Sequence, residues 1–171
     1  CAKGCNIDVT SLAGHVKRIK PRFNAKVNQY WMCDAGRLDW RWIESPERLK
    51  VARGDLAETA KAFVHAFDHR GPGSIGVLVS TGHTLEEYAL LRQLADGFGA
   101  VVGLFGRSGE AWESANGWKI EADKTPNTRG AQEVFGGPME ADVVYALAAA
   151  GKLSALLVLN AIPAHRWSDE M

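Results

Sequence analysis

Ser74-Ile75-Gly76-Val77-Leu78-Val79-Ser80-Thr81-Gly82-His83-Thr84-Leu85-Glu86-Glu87-Tyr88 decides the fold of this chain. Ile75 to Val79 is short, apolar and rich in β-branched side chains, the composition of a strand buried on both faces. Thr84 followed three residues later by Glu87 is a helix-starting pair. Leu85, Tyr88, Leu91, Leu94 and Phe98 then recur at three- and four-residue steps, which gives that helix an inner face. Asp96-Gly97 closes it, and Ala100 to Phe105 is a second buried strand. Upstream, Asp55 with Glu58 caps a helix whose inner face is Leu56, Ala60, Phe63 and Phe67, and Gly71-Pro72-Gly73 stops it. Downstream, Trp118 to Ala122 reads as a short strand and Asp123 to Gly130 as a loop. Met139 to Ala150 is a third helical pattern, with Val143, Val144 and Leu147 inward and Gly151 beyond its last turn. Ala155 to Leu159 is a third apolar strand. Helices and strands that alternate with short joints predict an α/β domain with a parallel sheet.

Residues 1–43 read differently. Ile7 to Thr10 and Val16 to Ile19 alternate weakly around Ser11-Leu12-Ala13-Gly14-His15, the pattern of a β-hairpin. Pro21 ends its second strand, because proline cannot donate to a ladder. Asn24 to Asn28 reads as loop. Tyr30, Trp31, Trp40 and Trp42 then concentrate aromatic area that a small module uses for packing. The fold class is therefore α/β: a small cysteine-bearing β module (1–43), a linker (44–54) with Pro46 and Gly54, and a three-layer α/β domain with a parallel sheet (55–171).

The 171 residues have a formal net charge of +0 and 46% hydrophobic content. These proportions are globular, and the charge balance argues against a general nucleic-acid binder. No apolar run is long enough for a membrane span. Cys1, Cys5 and Cys33 all lie in the first fifth of the chain. An odd number argues against a closed disulfide framework, and clustering favours metal or cluster ligands. Spacing alone leaves iron–sulfur and zinc open, because both accept tetrahedral thiolate sets. Lys3, Lys17, Arg18, Lys20, Arg22 and Arg37 surround these thiols in sequence, and positive charge favours the thiolate form. His15 has no His or Cys at ligand spacing and reads as a hairpin-turn residue.

Cys1-Ala2-Lys3-Gly4-Cys5-Asn6-Ile7 resembles the later part of a C-x2-C-x3-C pattern. Val27-Asn28 with Trp31-Met32-Cys33-Asp34-Ala35-Gly36-Arg37 resembles the stretch that carries a fourth cysteine. The family that these stretches resemble is the large iron–sulfur subunit (the G subunit) of bacterial NADH–quinone oxidoreductase, respiratory complex I. It is related to the molybdopterin oxidoreductases, formate dehydrogenases included. Ala122 to Ala131 and Ala150 to Val158 resemble the same protein. The resemblance implies that Cys1, Cys5 and Cys33 are cofactor-binding metal ligands of a four-iron, four-sulfur cluster ([4Fe-4S]). The first ligand is then expected three positions before Cys1. The chain is expected to be a fragment that lacks the N-terminal ferredoxin-like region, with the cluster present in the complete chain and absent or labile here.

The function implied is one-electron transfer within an NADH–quinone oxidoreductase complex, with no independent enzyme activity for the piece. A catalytic molybdopterin oxidoreductase of formate dehydrogenase type and a structural scaffold without a cluster are the alternatives. The implied partners are the other subunits of the complex, with no nucleic acid and no direct membrane insertion. The implied location is peripheral, on the cytoplasmic side of the inner membrane.

Other motifs carry less. Gly71-x-Gly73-x-x-Gly76 has the spacing of a dinucleotide fingerprint but precedes its strand instead of following it. Ser80 to Thr84 sits at the carboxyl end of a strand, where α/β ligands bind, and reads first as a helix cap. Thr125-Pro126-Asn127-Thr128 reads as a turn closed by its own side chains. No nucleophile elbow or zinc-protease motif appears.

Overall fold

The structure, a computed structural model, describes residues 1–48 and 54–160. Part of the linker and the tail from 161 onward lie outside the described residues. The chain divides into two compact units, one of Cys1–Ala52 with Ser108–Pro126, the other of Arg53–Arg107 with Asn127–Met171.

In the first unit, β1 (Ile7–Leu12) and β2 (His15–Pro21) pair antiparallel. Ala13 and Gly14 turn between them with φ of 50° and 80°. Positive φ at both central positions is what lets a two-residue turn follow the right-handed twist of its strands. The register slips at Thr10/Ser11, a bulge. α1 (Asp34–Leu38) and a short 3-10 helix (Arg41–Glu44) follow. The remaining piece of this unit is a small antiparallel pair, β5 (Trp112–Glu113) with β6 (Lys119–Ile120).

The second unit holds α2 (Leu56–Asp68), β3 (Ile75–Ser80), α3 (Leu85–Gly97), β4 (Val101–Phe105), α4 (Thr128–Phe135), α5 (Ala141–Ala149) and β7 (Ala155–Leu159). The sheet order is β4-β3-β7 and both pairings are parallel, as the three apolar runs predict. Alternate strand residues point to opposite faces. Ile75, Val77, Val79 and Val102 pack with Tyr88, Ala95, Ala131 and Phe135, so α3 and α4 cover one face. On the other face Gly76 and Gly103 lie under Val144 of α5, which completes three layers. Both helix caps expected from the sequence form. Asp55 Oδ1 accepts from the amides of Ala57 (2.7 Å) and Glu58 (3.1 Å). Thr84 and Glu87 make a reciprocal box at 2.8 and 3.2 Å.

Three details depart from expectation. α4 occupies residues that read partly as loop. Val143 points outward and only Val144 of that pair is buried, because α5 seats a narrow face on two glycines. Leu56 at the start of α2 is 71% exposed, and that helix holds on through Phe63 and Phe67 against Phe98. The close seat of α5 makes a prediction. A Cβ on Gly103 would stand 2.9 Å from Ala141 Cα and 3.0 Å from Val144 Cγ2. Since the nearest atom is backbone, Gly103→Ala should lose ~1–3 kcal/mol, the usual cost of overpacking. Urea titration checks this, and an unchanged midpoint would mean that α5 yields freely.

Candidate functional site

The three cysteines all belong to the first unit. Cys1 and Cys5 flank a turn in which Gly4 takes φ +66°, a conformation that favours glycine. The amide of Ala2 donates to Asp123 O at 3.1 Å, which ties the cysteine turn to the second piece of its unit. Cys33 stands just ahead of α1 with extended backbone (φ −75°, ψ 157°), and its side chain makes no capping bond.

The link between the two cysteine segments is Asn28, which is fully buried. Its Oδ1 accepts from the amide of Asn6 at 3.0 Å. Its Nδ2 donates to Trp31 O at 3.0 Å, Arg22 O at 3.2 Å and Asn6 O at 3.4 Å. Asn6 follows Cys5, and Trp31 lies two residues before Cys33. One side chain thus staples the backbone beside one thiol to the backbone beside another. Asn24 Nδ2 adds a bond to Asn6 Oδ1 at 2.9 Å. In the sequence Asn28 reads as loop and as part of the Val27–Arg37 stretch, with no linking role of its own. The signal available is the set of asparagines at 6, 24 and 28, each able to satisfy backbone groups in irregular chain.

Burial, the first cause, and then the neighbouring Cys33 push the Cys5 thiol above its ordinary range. Lys3 and the terminal amine pull the other way and do not win. Cys5 is therefore a thiol at neutral pH, and ligation has to displace its proton. Its proton comes off only at higher pH than an ordinary thiol's, so its alkylation at pH 8 should lag behind that of exposed Cys1. Mass mapping of a timed iodoacetamide reaction checks the order, and equal rates would contradict it.

Among the described residues no group of three or more His, Cys, Asp or Glu is gathered closely enough to hold a metal ion. The donor chemistry, three thiols, suits a cluster. The arrangement brings both Cys33 and the terminal amine of Cys1 within electrostatic reach of Cys5, without gathering three thiols into one metal-holding group among the described residues. His15 Nδ1 pairs with Glu44 Oε2 at 2.7 Å, and Glu44 Oε1 accepts from the amide of Val16 at 3.1 Å. That clamps the turn end of β2 and gives His15 a structural task. Trp31 lines a cleft of about 400 Å³ with Trp112, Trp118 and the turn Ser114–Asn116. Trp42 Nε1 donates to Asp39 O at 3.1 Å, and the Arg48 guanidinium lies 5.2 Å from its ring centre.

In the second unit the carboxyl end of β3 is closed by its own bonds. Asn127 donates from its amide to Thr81 O at 3.1 Å and from Nδ2 to His83 O at 2.9 Å. His83 Nε2 lies 3.3 Å from Leu159 O. Ser80 and Thr81 are buried. Burial also raises Tyr88 to about 12, so its phenol stays neutral beside this loop. The glycine run at 71–76 has structural roles: Gly73 N donates to Gly99 O at 2.8 Å, and Gly76 lies under α5. In the first unit, Asp123 Oδ1 accepts from the Thr125 amide (2.9 Å) and hydroxyl (2.7 Å), so the closing side chain comes from ahead of the turn expected at Thr125–Thr128, whose last residue instead begins α4.

Residues 1–40 match the family model described as NADH-ubiquinone oxidoreductase NDSU1/NuoG-like, 4Fe-4S domain. This corrects the expectation that the chain lacks the N-terminal ferredoxin-like region. An iron–sulfur domain is matched at the amino-terminal end of this chain, over the segment that carries Cys1, Cys5 and Cys33. The G subunit of NADH-quinone oxidoreductase from Pseudomonas putida is 42% identical over 98 residues, 55% of this chain and 11% of that protein. The G subunit from Pseudomonas fluorescens is 34% identical over 98 residues, again 55% and 11%. NADH-quinone oxidoreductase subunit 3 of Thermus thermophilus is 32% identical over 104 residues, 56% of this chain and 13% of that protein. The chain thus spans about an eighth or less of the length of these curated relatives. Residues 1–40, with their Asn-stapled thiol segments, are thus similar to a NuoG-like 4Fe-4S domain, and just over half of the chain is similar to a small part of the G subunit of NADH–quinone oxidoreductase.

Proposed function

We propose that the first unit is a cluster-binding electron-transfer module of an NADH–quinone oxidoreductase, with Cys1, Cys5 and Cys33 as three of the thiolate ligands. The observation that carries this reading is the match of residues 1–40 to a 4Fe-4S domain model over all three cysteines. The Asn28 staple supports it, since it holds two of the three ligand segments together. When bound, the cluster supplies a reversible one-electron change of iron valence. The chain supplies thiolates, the positive charge of Lys3 near Cys5, and partial burial of Cys5 and Cys33. Cluster assembly has to draw the three thiols together. The partners are other subunits of such a complex. Association with a membrane runs through them, because no helix among the described residues is long and apolar enough to cross one.

The alternative is a scaffold reading, with no cluster, since no three-donor group is gathered among the described residues. One experiment separates the two. Anaerobic reconstitution with iron and sulfide should give about three to four iron and about four acid-labile sulfide per chain, the content of a three- or four-iron cubane-type cluster. Cys33→Ser should lower that content severalfold while circular dichroism of the α/β unit stays unchanged. Bound zinc without sulfide, or no metal at all, would defeat the electron-transfer reading, the latter in favour of the scaffold.

A further inference from the structure

We propose that the outward face of the β1–β2 hairpin is a docking surface for an extended acidic segment of a partner protein. Arg18, Lys20 and Arg22 alternate along β2 and its continuation, so their side chains leave the same face at about 6.6 Å intervals. The ladder carries on to Arg22, whose amide donates to Asn6 O at 2.9 Å. Thr10 stands opposite Arg18 and Asp8 opposite Lys20. Asp8 is the one carboxylate on this face among the described strand residues. All three cations are exposed, and none has a carboxylate within 4.0 Å among the described residues.

The row is local. In the first 33 residues Lys3, Lys17, Arg18, Lys20, Arg22 and Lys26 stand against Asp8 alone, yet the whole chain has a net charge of +0. The chain as a whole has no positive excess of the kind expected of a general nucleic-acid binder. In the chain just past Arg22, Phe23 meets Tyr30 with ring centres 4.5 Å apart and tilted by 33°, and the two remain 52% and 71% exposed. Arginine beside exposed aromatic rings is the composition of protein-interface centres. A strand with carboxylates at every second residue repeats at the same interval as the cations. An apolar residue at its end meets the Phe23–Tyr30 pair. The charges supply steering and register, and the aromatic pair supplies the buried anchor.

The test uses the intact chain and a labelled peptide of alternating glutamates ending in two leucines. Saturable binding that weakens with added salt is expected. R18E/K20E/R22E should weaken it at least tenfold, and Tyr30→Ala severalfold with the salt dependence kept. Circular dichroism should be unchanged in both variants, because these side chains are exposed. Absence of saturable peptide binding would overturn the proposal, as would an unchanged affinity in the charge-reversed variant. Tighter binding of a short DNA duplex, or of vesicles containing phosphatidylglycerol, than of the peptide would overturn it in favour of those ligands. None of these readouts depends on a bound cluster.

Discussion

Val79→Asp should unfold the α/β unit. Val79 is fully buried in the middle strand of the sheet, between β4 and β7, with Leu104 and Leu159 as register partners. Its side chain joins the cluster formed with Tyr88, Ala131 and Phe135. That cluster holds no cation to pair with a carboxylate. The aspartate either keeps its charge in apolar surroundings or takes up a proton and still lacks partners. Either outcome costs several kcal/mol, about 4 or more, a large part of a domain's ~5–15 kcal/mol stability. The contrast is Val158→Asp, on the neighbouring strand β7. Val158 is 49% exposed, so its substitution should cost under ~1 kcal/mol. Far-ultraviolet circular dichroism during urea titration reads both. A cooperative Val79→Asp transition near the parent midpoint would refute the sheet order.

The second large effect is expected at Asn28. Asn28→Ala removes an acceptor from the Asn6 amide and a donor from three carbonyls in a fully buried position. Each buried group left unsatisfied costs ~1–3 kcal/mol, and the alanine methyl has no oxygen to offer the Asn6 amide. A loss of ~2–4 kcal/mol, confined to the first unit, is expected. Asn28→Asp keeps the acceptor but turns a buried carboxylate oxygen toward three carbonyls, so it should cost at least as much as alanine. Hydrogen exchange at the Asn6 amide is the direct measurement, and protection surviving in Asn28→Ala would show that the staple is dispensable. The thiols report the same event. Once Cys33 moves away from Cys5, one of the causes raising the Cys5 thiol is gone and its ionisation should shift to lower pH.

The α/β unit is legible in the sequence because its signals are strong and local. Three short apolar runs bounded by glycine and polar residues read as buried strands, and Thr84 with Glu87 marks a helix start from four residues alone. α4 is not legible. It is eight residues long, contains Gly130, and starts at Asn127 without a side-chain cap. It forms because Ala131 and Phe135 are buried against the sheet face, a tertiary cause that no window of that length carries. The outward turn of Val143 has the same origin. In the first unit the cysteines and hairpin are legible, whereas the residue that relates them is not. An asparagine reads as loop until its partners, which lie three to twenty-two positions away, are in place.

The first unit is assembled from two stretches, Cys1–Ala52 and Ser108–Pro126, with most of a sheet encoded between them. On the ribosome this order matters. The hairpin and its thiols emerge first, but the backbone acceptor that Ala2 uses, Asp123 O, is made far later. At ~5–20 residues per second the wait from the end of the first stretch to the end of the second is roughly 4–15 s. During that interval β3, α3 and β4 are already outside or leaving the tunnel, while the thiols stand in an unfinished surround. Any factor that delivers iron and sulfide during synthesis meets a half-built site, and one that acts afterwards meets the closed turn.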